Sequence, residues 1–155
     1  ILNSPKDFVS AVSKIMEENG ALKKEVEGAI REKSIAIKKQ LESKIENIDG
    51  INFLATRVDL PSVDAVKTLA FALKGSNPNT FLVLGAEVDG KPNLTVVISD
   101  ALVKDKGLHA GNIIRDLAKD IQGGGGGQPF FATAGGKDAS GLDKAIARAK
   151  DFLTK

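Results

Sequence analysis

Gly123–Gly127 is a run of five glycines, and Gln128-Pro129-Phe130 follows it directly. Ordering a glycine costs roughly 0.5–1 kcal/mol more than ordering an alanine. Fixing five in a row therefore opposes folding by several kcal/mol, on the order of five such terms. What such a run offers in return is bare backbone. Its N–H groups can form a concavity for phosphate oxygens, and another chain can approach without meeting a Cβ. A floppy connector is the plain alternative. Around the run stand groups able to meet an anion: Lys104, Lys106, His109, Asn112, Lys119, Gln128 and Lys137. His109 is the only histidine and has no second base beside it in sequence, so no catalytic constellation can be assembled on it. It reads either as a loop residue or as a contact to a base or phosphate. Asn112, Arg115 and Lys119 fall on the polar side of a helical pattern, where solvation explains them equally well. Phe130 and Phe131 alternate across a strand, so one enters the core and the other is free to stack on a base or ribose.

Familiar nucleotide loops do not fit these residues. Gly136-Lys137 is followed by Asp138, and Phe131 stands where a Walker-type loop needs its first glycine. The five glycines precede a strand pattern rather than a helix, which argues against a dinucleotide-binding turn. The aspartates, Asp59, Asp64, Asp89, Asp100, Asp105, Asp116, Asp120, Asp138 and Asp143, show no metal-ligand spacing. Asp138 is placed to act as a loop or cap residue.

The bulk numbers narrow the class. There are 155 residues, 42% hydrophobic, enough for one ordinary core or a smaller core with an appendage. Net charge is only +2, so charge alone does not mark a polyanion-coating protein. Residues 1–50 balance nine basic against nine acidic side chains, whereas 101–155 carry nine against six; the excess lies toward the C-terminus. No cysteine is present, which excludes disulfides and thiolate metal sites and fits a reducing compartment. No apolar run approaches the ~18 residues of a membrane span. Ile1-Leu2-Asn3-Ser4-Pro5 carries no signal-peptide pattern and no initiator methionine, and reads as a cut from a longer protein.

The elements that must position the glycine region divide in two. Residues 1–49 read as helix, with Ser4 capping and Pro5 at the first helical position. Phe8, Val12, Ile15 and Met16 share a face, and Leu22, Val26, Ile30, Ile37, Leu41, Ile45 and Ile48 continue the spacing. Asn19-Gly20 predicts a break into a short helix and a long one. The stripe must be buried by the first helix folded back, by the following domain or by a second copy of the chain; a solvated spacer is the remaining option. Val12, Leu22, Val26, Ile30, Ile37 and Leu41 are the self-association candidates. Asp49-Gly50 ends the helix.

Residues 50–155 then read as strand (51–58), helix (63–73), strands (81–88 and 94–99), helix (110–121), strand (130–134) and helix (142–153). Asp89-Gly90 signals a hairpin that Lys91-Pro92-Asn93 lengthens. This order predicts an α/β (α+β) fold: a long-helix hairpin or stalk, then a mixed sheet with helices packed on it.

The segment Gly107-Leu108-His109-Ala110-Gly111-Asn112, the helix after it, the glycine run with Gln128-Pro129, and Ala132-Thr133-Ala134-Gly135-Gly136-Lys137-Asp138 together closely resemble the C-terminal domain of bacterial alanyl-tRNA synthetases, often called C-Ala. That domain is related to the one attached to DHH-family phosphoesterases. The likeness extends more loosely to residues 5–48, which look like the family's helical linker. Gln122 stands where the family often has another glycine, and Gln128 where it often has a basic residue. Phe130-Phe131 replaces a more polar pair. The phosphoesterase relatives typically carry a histidine directly after the glycines; Gln128 is not one, which favours the synthetase.

The resemblance implies a cytoplasmic, non-catalytic module that contacts the outer corner of tRNA(Ala) through the residues named above. It also implies a homo-oligomer joined through the helical region or the globular part. Alanine attachment and editing of mischarged tRNA would belong to upstream domains. So would the ATP and magnesium of the ligase reaction and the zinc of editing; none is implied for this segment. A nucleic-acid-binding domain of a phosphoesterase and a purely structural dimerisation module are the alternatives.

Overall fold

A computed structural model describes residues 5–154. The cap assigned to Ser4 lies outside them. Pro5–Glu42 is one continuous helix, α1. At 1.5 Å per residue it is about 57 Å long. The expected break at Asn19-Gly20 is absent, and with it the folded-back hairpin. A single glycine in an exposed helix interior costs only about 1 kcal/mol, and the flanking Glu, Lys, Ala and Leu are strong helix formers. The helix therefore runs through and projects as a stalk.

Asp49-Gly50 does not end α1. It is the turn between β1 (Glu46–Ile48) and β2 (Ile51–Arg57). Ile48 pairs with Ile51, and Asp49 and Gly50 have φ of 50° and 83°. That is a two-residue hairpin with both central residues left-handed, the geometry Asp-Gly favours. The same turn recurs at Asp89-Gly90 between β3 (Thr80–Val88) and β4 (Lys91–Ile98), where Val88 pairs with Lys91. Lys91-Pro92-Asn93 thus belongs to the strand instead of lengthening the turn.

α2 (Val63–Ser76) provides the crossover that parallel pairing of β2 with β3 requires. Ser62 caps it, its Oγ accepting from the Ala65 amide at 3.1 Å. After β4 come α3 (Asp100–Lys106) and α4 (Ala110–Leu117), then β5 (Gly124–Gly127) and β6 (Phe131–Gly135). A short 3-10 turn at Ala139–Gly141 leads into α5 (Leu142–Arg148), and a second, Ala149–Leu153, closes the chain. The Asp138 carboxylate caps the first of these turns by accepting from the Ser140 amide at 3.0 Å. The expected mixed sheet with helices on it is present. Its order is β1-β2-β3-β4-β6-β5, and every neighbouring pair except β2–β3 is antiparallel.

Alternation along β3 builds two cores. Leu82 and Leu84 face α2 with Leu54, Leu69, Leu73 and Val97. Phe81 and Val83 face the opposite side with Phe53, Ile98, Ile114, Leu117 and Leu142. The base of α1 joins the first core. Leu41 is 3% exposed, and Ile30, Ile37 and Ile45 pack partly buried against the same cluster. Along the rest of α1, Phe8, Val9, Val12, Ile15, Met16, Leu22, Val26 and Ile35 are exposed among the described residues.

Candidate functional site

The glycine run is an edge strand. Gly124–Gly127 pairs antiparallel with β6, Gly125 opposite Ala134 and Gly127 opposite Ala132. The floppy connector is thereby replaced by ordered backbone. A Cβ on Gly125 would lie 2.6 Å from the Ala134 Cα, and one on Gly127 would lie 2.6 Å from the Ala132 Cα. Neither position accepts a side chain. The intervening glycines differ. A Cβ on Gly124 would meet nothing within 4 Å, and one on Gly126 would approach only Arg115, 3.8 Å from Nη2. Packing therefore accounts for alternate glycines and leaves Gly124 and Gly126 unexplained by it. β5 has β6 on one side only, so the polar groups along its outer edge lack a strand partner.

α4 lies against this strand. Its buried face is Ala110, Gly111, Ile113, Ile114 and Leu117. Gly111 is small because a Cβ there would come within 2.9 Å of the Gly127 carbonyl oxygen. The exposed face carries Asn112 and Arg115, and Arg115 Nη1 donates to Asn112 Oδ1 at 3.3 Å; the helix stops at Leu117 instead of Ile121, which leaves Lys119 in the turn after it. His109 is the N-cap; its Nδ1 accepts from the Asn112 amide at 3.3 Å, which gives this side chain a structural task. Pro129 accepts from the Ala110 amide at 2.8 Å, tying the β5–β6 turn to the start of α4.

At the other end, Gln122 adopts φ 50°, the left-handed conformation that favours glycine. The Gly123 amide then donates to the Ala118 carbonyl at 2.9 Å, and the Lys137 and Asp138 amides donate to the Ile121 carbonyl, each at 3.0 Å.

The structure thus gathers His109, Asn112, Gly126, Gly127 and Gln128 along α4 and the near end of β5. Gly123, Lys119 and Lys137 stand by the far end of α4. Lys119 is engaged with Asp116 at 3.1 Å. Lys104 and Lys106 are exposed on the last turn of α3, ahead of His109. Arg115 joins this site through the fold. A polar helix position looks the same whether it meets solvent or a strand edge, and only the fold places it beside Gly126.

Phe131 packs partly buried against the core and Phe130 is the exposed ring, a division that does not come from strand alternation. β6 begins at Phe131, so Phe130 lies in the turn, free of strand alternation. The Phe131 ring meets Phe71 of α2 at 5.1 Å, and the Phe130 ring lies under Lys74 of α2 at 5.3 Å. Both rings sit beside α2, and the core takes only part of Phe131.

Charge is concentrated where α5 meets the end of α4. Arg148 donates to Asp116 at 2.9 Å and also to Asp120, which Lys144 approaches at 3.2 Å. The Lys119 hydrogen bond holds the Asp116 carboxyl below the usual carboxylate range, with Arg148 adding to it against partial burial. Burial pushes the Asp120 carboxyl up, but its bonds to Arg148 and Lys144 prevail and the net shift is downward. The Asp120 hydrogen bond in turn raises Arg148. These groups fasten α5 to the end of α4. Among the described residues no group of three or more His, Asp or Glu side chains could hold a metal ion. No described helix is long and apolar enough to cross a membrane.

Comparison with known proteins agrees with this architecture. The DHHA1 domain family model matches residues 50–155. The alanine-tRNA ligase of Cytophaga hutchinsonii is 50% identical over 153 residues, 99% of this chain. That of Christiangramia forsetii is 45% identical over 152 residues, 98% of the chain. The chain spans 17% of the length of each of these relatives. The crystal structure of the C-Ala domain from Aquifex aeolicus alanyl-tRNA synthetase superposes with a TM-score of 0.64 at 22% identity, over 72% of this chain and 98% of that one. At that identity the match speaks for the fold. The chain belongs to the DHHA1 domain family, and over nearly its whole length it is similar to a part of alanine-tRNA ligases.

Proposed function

We propose that this chain is a non-catalytic RNA-binding module that contacts the outer corner of tRNA(Ala). The observation that carries the reading is the state of Gly124 and Gly126. Both lie on an edge strand without a steric reason to be glycine, and Arg115 stands beside one of them. Bare amides and a guanidinium suit a phosphate backbone, because Arg offers a planar fork of donors and the amides add no side-chain bulk. His109, Asn112, Gln128, Lys104, Lys106, Lys119 and Lys137 extend the same surface. The module would serve alanine attachment and editing carried out in the cytoplasm by other parts of a longer protein.

Fluorescence anisotropy with a tRNA(Ala) transcript tests this. The reading predicts binding that weakens steeply with salt and exceeds binding to an unstructured RNA of equal length. Equal affinity for both RNAs at low salt would remove the tRNA reading.

A second role is favoured by α1. Among the described residues, eight large apolar side chains, Phe8, Val9, Val12, Ile15, Met16, Leu22, Val26 and Ile35, are exposed along α1. We propose that α1 acts as a self-association stalk, with Val12, Leu22 and Val26 in the contact. Leu41, Ile37 and Ile30 are already committed to their own domain and contribute by holding the stalk's base. Sedimentation velocity across a concentration series measures this directly: a second copy covering the stripe gives a growing dimer fraction, and a monomer throughout counts against it.

A further inference from the structure

The turn that follows the glycine strand presents an aromatic ring in an unusual setting. Phe130 is 39% exposed. A lone exposed phenylalanine is ordinary. This one is neither lone nor loosely held. Its carbonyl accepts from the Ile98 amide at 2.9 Å, the preceding Pro129 carbonyl accepts from the Ala110 amide at 2.8 Å, and Gln128 donates to Phe131 at 2.7 Å. Three backbone bonds thus fix the turn to β4, to α4 and to itself. Lys74 Nζ stands 5.3 Å from the Phe130 centroid. Beside it, Phe131 packs on Phe71, and Lys67 Nζ lies 5.2 Å from the Phe131 centroid. Three of the seven phenylalanines and two lysines of α2 share one patch beside the turn between β5 and β6. Lys74 also reaches Asp100 at 3.5 Å, whereas Lys67 has no carboxylate partner among the described residues.

We infer that Phe130 is a stacking platform for one solvent-facing base of the bound RNA, with Lys67 and Lys74 meeting the phosphates of the same strand. The inference rests on the RNA-binding reading above and adds a second contact on the opposite side of the sheet edge from Arg115. Stacking suits the geometry because every base has a π-face, and an aromatic ring fixed in advance pays little ordering entropy on binding. Cations next to an aromatic are the combination used by single-strand binders. The turn also has no competing anion of its own: Gln128-Pro129-Phe130 is uncharged.

The test compares the whole 155-residue chain with its Phe130→Leu and Phe130→Trp variants, using anisotropy with the tRNA(Ala) transcript and thermal melts as the folding control. Leucine keeps the apolar bulk and removes the π-face; tryptophan keeps both. The expected result is an affinity loss of at least about fivefold for F130L, retained or tighter binding for F130W, and matched melting temperatures. Lys67→Ala should flatten the log–log salt dependence by about one. Wild-type affinity in F130L overturns the inference, as does equal loss in F130L and F130W. Loss of self-association in F130L without loss of RNA affinity would reassign the ring to a protein contact. If the unaltered chain binds no RNA, the broader RNA reading fails first, which is a separate outcome from a change confined to F130L.

Discussion

Arg148 on α5 donates from Nη2 to the Asp116 carboxylate of α4 at 2.9 Å, and from Nη1 to Asp120 one turn further on. This fork fastens the C-terminal helix beneath the end of α4, at the root of the glycine strand. Arg148→Met should cost about 2 kcal/mol at neutral pH, since Asp120 is largely buried and would keep only Lys144. The pH dependence has a definite sign. Both carboxyls have folded pKa values below the ordinary 3.8 of an aspartate. The folded state therefore binds fewer protons than the unfolded state, and the stabilisation present above 3.8 is lost as pH falls through the lower folded values. In R148M burial of Asp120 is less opposed, so its folded pKa rises. Melting curves from neutral to acid pH should show the gap between wild type and variant narrowing below that range; a constant gap would contradict the account.

Gln122 occupies a left-handed backbone conformation at φ 50°. A residue with a Cβ pays roughly 1 kcal/mol there, and glycine does not. Gln122→Gly should stabilise the domain by about that amount, less the small loss of a 3.4 Å hydrogen bond to Asp138. Urea unfolding would register it as a higher midpoint at unchanged slope. A lower midpoint would show that the side chain matters more than the backbone.

The stalk separates two kinds of apolar residue that share one sequence pattern. Leu41→Ala removes a buried side chain and should cost about 2–4 kcal/mol. Val12→Asp and Val26→Asp lie on exposed positions and should leave the melting temperature of the globular part unchanged. If a second copy covers the stripe, these two variants abolish dimer formation in sedimentation velocity while L41A unfolds more readily. The reverse pattern would place the contact elsewhere.

What could be read without coordinates depended on whether a residue announces its neighbours. Leu82 and Leu84 against Phe81 and Val83 sit in a continuous apolar run, and a strand buried on both faces follows from it. Ile113, Ile114 and Leu117 give α4 by their spacing. Gly124–Gly127 gives no pattern at all, because a strand without side chains has no alternation, and its order comes from β6 and α4. Asp49-Gly50 was ambiguous for a different reason: the same dipeptide stops helices and makes two-residue hairpins, and β1 is too short to be seen beforehand. Asn19-Gly20 carried a local breaking signal that the strong helix formers around it outweighed. Arg115 could not be singled out, since its proximity to Gly126 is a tertiary fact.

Within the glycine strand the account separates two duties. Gly125→Ala and Gly127→Ala force a Cβ into the backbone of β6 and should each destabilise by about 1–3 kcal/mol. Gly124→Ala and Gly126→Ala place a methyl group in open space and should leave stability within about 0.5 kcal/mol, or raise it slightly. Circular dichroism melts of the four single variants distinguish the pairs.

The most direct measurement takes the Gly124→Ala/Gly126→Ala double variant, whose fold the structure leaves undisturbed, and titrates it with a tRNA(Ala) transcript alongside the unaltered chain. The account predicts an unchanged melting temperature together with an affinity lower by about tenfold, the equivalent of one lost charge-assisted contact. Unchanged affinity in a variant that melts like wild type would contradict the claim that this bare edge of backbone lies against RNA.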